Sequence, residues 1–425
     1  MLDIKFIREN KELVKKNIKK RFQNDRLKSV DEVIKKDEEY RKLLYQLEQL
    51  KHKRNIVSKE INELRKADKN IKKVVLEAKK IPDKIRDKEE KVSKLKNEIK
   101  ELLYKIPNII HKSVPIGKDH TENVEMEKIG KPKKFDFDIK SHVELAENLG
   151  IVDFDNSAKV SGNGFFYLKG DLARLNQALI QFGIDFMIKK GYLLVEPPLM
   201  IRGEVLQGVY SHEEIEELSY KIEGEDLFPI ATSEHPLIGM HINQTINSDA
   251  LPLKICGYSQ CFRKEIGSHG IDEKGLFRTH QFNKVEMVVI CKPEDSYKLY
   301  DEMLKISKDI FKQIGIPTRV LECCSGDLGD LKAKSCDLEY WSPRKKSYSE
   351  FCSLTNMEAA QARRLNIKAE DKGNRFYVHT LNNTAIATSR AMVAILENNQ
   401  TKNGDITVPR VLQKYMGGLK IIKKK

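Results

Sequence analysis

Two apolar seams separated by a short polar turn limit what the first hundred residues of this chain can become. Tyr40, Leu43, Leu47, Leu50, Arg54, Val57, Ile61 and Leu64 alternate spacings of three and four, with one polar interruption. Ile71, Val74, Ala78, Ile81, Ile85, Lys88, Val92, Leu95, Ile99, Leu102 and Ile106 repeat the same rhythm. That spacing is the a/d stripe of packed helices, and neither stripe can be buried alone. The intervening K-A-D-K-N is a short polar turn, so the pattern predicts an antiparallel helical hairpin. Its second helix would reach roughly 50 Å at 1.5 Å per residue. Pro82 falls inside the second seam and predicts a kink near Ala78 to Pro82. A dimerising coiled coil would use the same stripes; the small gap between them favours pairing within one chain. Ahead of the hairpin, residues 1 to about 28 read as a single short amphipathic helix, with Ile4, Ile7, Leu13, Val14 and Ile18 as its apolar members.

Charge is distributed to match. The whole chain of 425 residues carries a net +14, and residues 1–110 hold 33 Lys+Arg against 20 Asp+Glu. Nearly all the excess therefore sits on the helical part, as expected of a module that meets a polyanion beside one that does chemistry, although solvated helix faces are also lysine-rich. The length suits two or three domains, and no apolar run approaches a membrane span. The first residues, M-L-D-I-K-F-I-R-E-N-K, lack a signal-peptide core. Seven scattered cysteines point to a reducing, cytoplasmic setting.

The stretch from Cys261 to Met287 carries the chemistry. Phe262 at one end and Phe282, Val285, Met287 and Val289 at the other read as half-buried strands. Between them lies a charged loop with Gly267, Gly270 and Gly275, too long for a tight turn. The predicted hairpin projects Arg263, Glu265, Arg278, Phe282 and Glu286, and a sheet face rarely accepts such charges unless it is a working surface. Arginines can grip phosphate or carboxylate, carboxylates can hold an ammonium, and an aromatic face can take a purine. The set suits a pocket for a nucleotide and an amino acid together.

F-R-x-E, a glycine-bearing loop, then R-x-H-Q-F-x-K-V-E resembles motif 2 of class II aminoacyl-tRNA synthetases, in the form used by seryl-tRNA synthetases. Other segments fall in that family's order. Gly191 to Pro198 is similar to motif 1, which builds the class II dimer interface. Thr232-Ser233-Glu234 corresponds to a T-x-E loop that contacts serine, and Thr232 or Ser233 could also cap the helix that follows. Glu350 to Asn356, followed by Q-A-R-R, matches E-x-x-S-x-x-N. H-T-L-N-N-T-A-I-A-T-S-R resembles motif 3, with Asn382 and Thr384 on a strand and Arg390 near a helix start, where an anion is well met. Asn383-Thr384-Ala385 is written G-S-G in bacterial relatives, so the chain looks like the archaeal and eukaryotic branch. S-H-V-E-L and S-G-N-G-F-F-Y-L-K-G resemble family segments that lead into the catalytic domain, as S-G-D-L-G-D and D-L-E-Y-W resemble later ones, with Trp341 packed where the sheet ends.

The resemblance implies an α+β fold: a class II antiparallel β-sheet flanked by helices, preceded by the long antiparallel α-helical hairpin as a coiled-coil arm. The expected parts are a tRNA-binding arm over 1–115, a connector over 116–165 and a catalytic domain over 166–425. It implies an aminoacyl-tRNA ligase, a homodimer that activates L-serine with ATP and charges tRNA(Ser), with a selenocysteine tRNA also charged where one exists. Arg263, Arg390 and Glu350 are the implied catalytic residues. ATP is expected to meet Arg263, Lys264, Glu265, Arg278, Thr279, Phe282, Glu350, Phe351, Cys352, Ser353 and Arg390. Serine is expected to meet Thr232, Ser233, Glu234, Arg263, Glu286, Asn382 and Thr384. Glu350 and Ser353 are the implied Mg2+ ligands, and the cysteine spacings give no reason to expect zinc. The loop from Gly267 to Phe277 is expected to meet the tRNA acceptor end. An amino-acid ligase for a carrier protein would lack the basic arm; a non-catalytic RNA-binding paralogue would have lost Arg263, Glu265, Glu350 or Arg390.

Overall fold

A computed structural model describes residues 1–265 and 275–424, which form two compact units, Met1–Pro107 and Asn108–Lys425. In the first unit α1 (Ile4–Glu9) and α2 (Lys11–Lys20) precede two long helices, α3 (Leu27–Lys66) and α4 (Lys72–Lys105). The single helix read from the first residues is therefore two. Asn10 ends α1 with φ −129°, and its side-chain amide donates to the Phe6 carbonyl at 3.1 Å, competing with the helical ladder. Ile7, Val14 and Ile18 are fully buried, whereas Leu13 is 48% exposed and lies off the packed stripe. The turn falls at residues 67–71, as the polar gap predicts. Between α3 and α4, Leu47, Val57, Ile81 and Ile85 form a core with Leu50, Ile61, Val74, Ala78 and Val92 packed on it. Lys88, a polar member of the seam, donates to Gln46 Oε1 at 2.7 Å. Pro82 sits inside α4, which continues as helix to Lys105.

The second unit is built on one eight-stranded sheet. Its strands are β1 (Val124–Ile129), β2 (Leu193–Val195), β3 (Leu253–Phe262), β4 (Gln281–Cys291), β5 (Thr318–Glu322), β6 (Lys334–Ser342), β7 (Ser347–Glu358) and β8 (His379–Ala387). They lie in the order β1-β5-β6-β7-β8-β4-β3-β2, and every pair but β2–β3 is antiparallel. Residues 116–165, read as a connector, belong to this unit and supply its edge strand β1. The helices that position the site are α5 (His142–Asn148), α6 (Gly170–Lys189), α7 (Glu234–Gly239), α8 (Ser296–Ile314) and α9 (Thr388–Asn398). Gly191, at φ +83°, stops α6.

β4 is buried on both faces rather than half-buried. Val285, Met287 and Val289 join Leu175, Leu179, Ile310 and Phe311 in the main core. Val288 and Ile290 join a second core with Leu237, Ile238, Leu365 and Ile367. Further along that second face the even positions become Glu286, Lys284 and Phe282, which is where the apolar filling gives way to a cavity. Trp341, near the end of β6, meets the Tyr348 ring edge-on at 5.2 Å. All seven cysteines are free and buried, and among the described residues no helix is long and apolar enough to cross a membrane.

Candidate active site

Two bulges set which side chains face the cavity. E-x-x-S has an odd spacing, so a regular strand would put Glu350 and Ser353 on opposite faces. In β7 the register slips by one: Leu338 pairs Cys352 and Glu339 pairs Glu350, leaving Phe351 as the extra residue. Phe351 drops into the core, 4.1 Å from the Phe311 ring, while Glu350 and Ser353 both line the cavity. In β8 the slip falls between Thr384 and Ile386, just after Thr384 has paired with Glu286.

The cavity, of about 350 Å³, is lined by Arg263, Glu286, Glu350 and Arg390 together, along with Thr232, Glu234, Glu265, Thr279, Phe282, Phe351, Cys352, Ser353, Asn382 and Thr384. Arg263 and Glu265 lie just past the end of β3, and Arg278 just before β4, rather than within the strands. The Arg263 amide donates to the His280 carbonyl at 3.0 Å and its Nε to the Ala231 carbonyl at 3.3 Å. Its guanidinium lies 5.3 Å from the centre of the Phe282 ring. Arg390, in the first turn of α9, pairs with Glu350 at 3.0 Å and lies over the Phe277 ring at 5.2 Å. Beside that guanidinium the Glu350 carboxyl is held below the usual carboxylate range, although its side chain is 46% exposed.

The lining also holds several carboxylates. Glu286 is 2.7 Å from Lys284 Nζ and accepts from Thr384 Oγ1 at 3.2 Å. Glu234 accepts from Gln361 Nε2 at 2.8 Å and from Asn382 Nδ2 at 3.0 Å, both on the same oxygen. Burial, reinforced by the neighbouring Glu286 carboxylate, pushes the Glu234 carboxyl up to about 7. Burial and Glu350 do the same to Asp337, also up to about 7. Thr232 Oγ1 accepts from the Glu234 amide at 3.2 Å, a local bond just ahead of α7, and lines the cavity; Ser233 stands at the N-cap position without a side-chain capping bond, so neither residue caps the helix as expected. Ser233 Oγ donates to the Gly257 carbonyl at 3.1 Å and lies outside the lining.

Two further predicted residues stand apart. Lys264 Nζ donates to the Glu216 carbonyl at 3.2 Å and is not among the lining residues. Arg278 lines an adjoining cleft with Arg319, Asp327, Asp337 and Glu350, and lies 3.7 Å from Glu265. Glu265 holds a left-handed backbone, φ +48°, uncommon for a non-glycine residue. Gly267 and Gly270, with most of the loop expected to meet the acceptor end, fall outside the described residues. Lys284, Gln361 and Asp337 were not singled out by sequence reasoning. Each sits in a quoted segment (K-V-E, Q-A-R-R, D-L-E-Y-W), but the register that turns it toward the cavity is not written in those letters.

Comparison with known proteins fits this geometry. Residues 218–399 match the tRNA synthetase class II core domain (G, H, P, S and T), and residues 1–110 match the seryl-tRNA synthetase N-terminal domain. The serine–tRNA ligase of Methanocella arvoryzae is 45% identical, with 99% of this chain and 100% of that protein covered. A seryl-tRNA synthetase from Pyrococcus horikoshii, solved in complex with ATP, superposes with a TM-score of 0.93 at 42% identity, over 100% of both chains. The cytoplasmic serine–tRNA ligase of Naegleria fowleri, in complex with AMP, gives 0.87 at 35% identity, over 100% of this chain and 99% of that one. With both family models matched and full-length relatives above 40% identity, the chain belongs to the seryl-tRNA synthetase family of class II aminoacyl-tRNA synthetases.

Proposed function

We infer that this chain is a serine–tRNA ligase, which joins L-serine to ATP with loss of pyrophosphate and then passes serine to the 3′ end of tRNA(Ser). The observation that carries this reading is the lining of one cavity by Arg263, Glu286, Glu350 and Arg390. In the first step a serine carboxylate oxygen attacks the α-phosphorus of ATP in line with the departing pyrophosphate. In the second a hydroxyl of the terminal ribose attacks the serine carbonyl and AMP leaves. Neither step needs a protein nucleophile, so the work is positioning and charge stabilisation. Arg263 spans the serine carboxylate and the α-phosphate, Arg278 and Arg390 hold the outer phosphates, Phe282 stacks on adenine, and Glu265 contacts the ATP. Glu234 and Glu286 hold the serine ammonium, and Thr384 with Glu286 reads the hydroxyl. Alanine would leave these buried polar groups unpaired.

Glu350, kept ionised by Arg390, and the Ser353 hydroxyl are two hard oxygens on the cavity wall, which suits Mg2+ completed by phosphate and water. When bound, the ion neutralises phosphate charge. The basic first unit is the arm for tRNA, reading backbone shape rather than sequence. The working form is a homodimer, a reading supported by the edge strand β2, where Leu193 and Leu194 are 66% and 40% exposed, and by Leu199 and Met200 beside it at 39% and 47%. Its compartment is the cytoplasm, in keeping with seven free thiols.

The test is ATP–pyrophosphate exchange with each of the twenty amino acids. Serine alone should support full exchange, and Arg263→Ala should cut it by roughly three orders of magnitude, the scale expected when a charged contact made to the reacting centre is lost. Exchange driven best by another amino acid, or left near normal in the variant, would refute the assignment.

A further inference from the structure

The S-H-V-E-L segment has no part in the reaction above, yet its helix begins against the stem that leads into β4. Ser141 and Glu144 form a reciprocal capping box at the start of α5, which fixes the direction of His142, the first helical residue. His142 is only 3% exposed. Its Nε2 accepts from the Leu276 amide at 3.2 Å, and its Nδ1 lies 3.3 Å from Glu397 Oε1. A ring nitrogen that accepts leaves the proton on the other, so Nδ1–H donates to Glu397. Glu397, 1% exposed, stands in the last turn of α9, the helix whose first turn carries Arg390. Its second oxygen accepts from Ser342 Oγ at 2.6 Å, at the end of β6.

What this buried pair holds is the stem that re-enters β4. Gly275 has φ +144°, and a Cβ there would come within 2.4 Å of His142 Nε2, so the close approach requires glycine. One residue beyond Leu276, the Phe277 ring faces the Arg390 guanidinium at 5.2 Å; the next residue is Arg278. The serine-facing groups Glu234, Glu286, Asn382 and Thr384 come instead from α7, β4 and β8, and none of their hydrogen bonds involves His142 or Glu397.

We propose that His142 is a positioning residue for ATP: braced by Glu397, it anchors Gly275–Phe277 so that Phe277 backs Arg390 and Arg278 is set for the outer phosphates. The proposal rests on the cavity being the ATP and serine site. It is tested in the full chain by ATP–pyrophosphate exchange together with thermal melting. His142→Ala should raise the KM for ATP about tenfold while the KM for serine stays within about twofold, the scale of one lost buried hydrogen bond. His142→Gln, whose amide can accept from Leu276 and donate to Glu397, should recover most of that loss. Gly275→Ala, whose Cβ would press on the His142 ring and force the stem away from it, should reproduce the same split and covers the case in which His142→Ala does not fold. An unchanged KM for ATP in whichever variant folds, or an equal rise in both KM values, overturns the anchor. Absence of serine-dependent exchange in the unaltered chain overturns the reading of the cavity and the anchor with it; normal exchange beside an indifferent variant overturns the anchor alone.

Discussion

In the helical arm Lys53 and Glu77 meet at 2.5 Å with 53% and 55% of their side chains in water, whereas in the catalytic unit Lys284 and Glu286 meet at 2.7 Å with 6% and 2% exposed. Nearly equal distances serve opposite purposes. On the arm, water and salt screen each pair, so the pairs stabilise little and the surplus lysines stay available to an external polyanion. In the sheet, removing one partner leaves a buried, unpaired charge, which costs about 3–5 kcal/mol. Burial also concentrates the field on whatever enters the cavity. On the proposed function, the arm would recognise by accumulated weak charge and shape, and the cavity by a few fixed groups.

The sharpest way to break this contrast is to separate the units. Removing residues 30–108 should abolish charging of tRNA(Ser) while serine-dependent ATP–pyrophosphate exchange stays within about threefold of the intact chain, since no cavity residue lies in the deleted stretch. Charging assays and exchange on the same preparation decide it. Charging that survives the deletion would take the arm out of tRNA recognition.

Much of the arm was legible in advance because helical periodicity is local. Spacings of three and four, a short polar gap and a lysine surplus are all read along the chain, and α3, α4 and the turn follow them. Asn10 broke the pattern through a side-chain bond to Phe6 that a periodicity count does not register. In the catalytic unit motif resemblance picked out many residues that line the cavity, but not their facing. The extra residue Phe351 brings Glu350 and Ser353 to one wall, and only the partner strand reveals it. One signal stood in plain view: S-H-V-E fits the S-x-x-E capping box before an apolar run, and it marks the start of α5. The participation of β1 in the sheet was hidden because its E-M-E-K alternation leaves the strand almost wholly exposed.

A smaller effect sharpens the cavity side. Glu234 has its carboxyl pushed up to about 7 by burial and then by Glu286, so in the empty pocket it keeps a proton through the acid range. Serine's ammonium needs the carboxylate. The kcat/KM for serine, which reports the free enzyme, should therefore rise with pH, about tenfold per unit, and level off above about 7. Glu234→Gln should flatten this limb and sit roughly tenfold lower on the plateau, consistent with one lost charge-assisted bond. Stability runs the other way. Because the folded value is raised, the contribution of Glu234 is fully present below the unfolded value near 4.5 and is lost as pH climbs through about 7. Denaturant midpoints at pH 5 and pH 8 should converge in Glu234→Gln relative to the parent chain.

The smallest effect tests the arm on its own terms. Lys53 lies in the groove between α3 and α4 with His52, Lys84, Lys88 and Lys91, and it pairs with the exposed Glu77. If the pair matters to folding, Lys53→Ala should lower the Tm. If the lysine is there for RNA phosphate, Tm should stay within about 1 °C, because an exposed pair is screened. Binding of tRNA(Ser) should then weaken several-fold at low salt, and the slope of log K against log salt should fall by about one, the signature of a lost phosphate contact. A shifted Tm with an unchanged slope would make Lys53 a helix-pairing residue and erase, at this position, the distinction between the charges of the arm and those of the cavity.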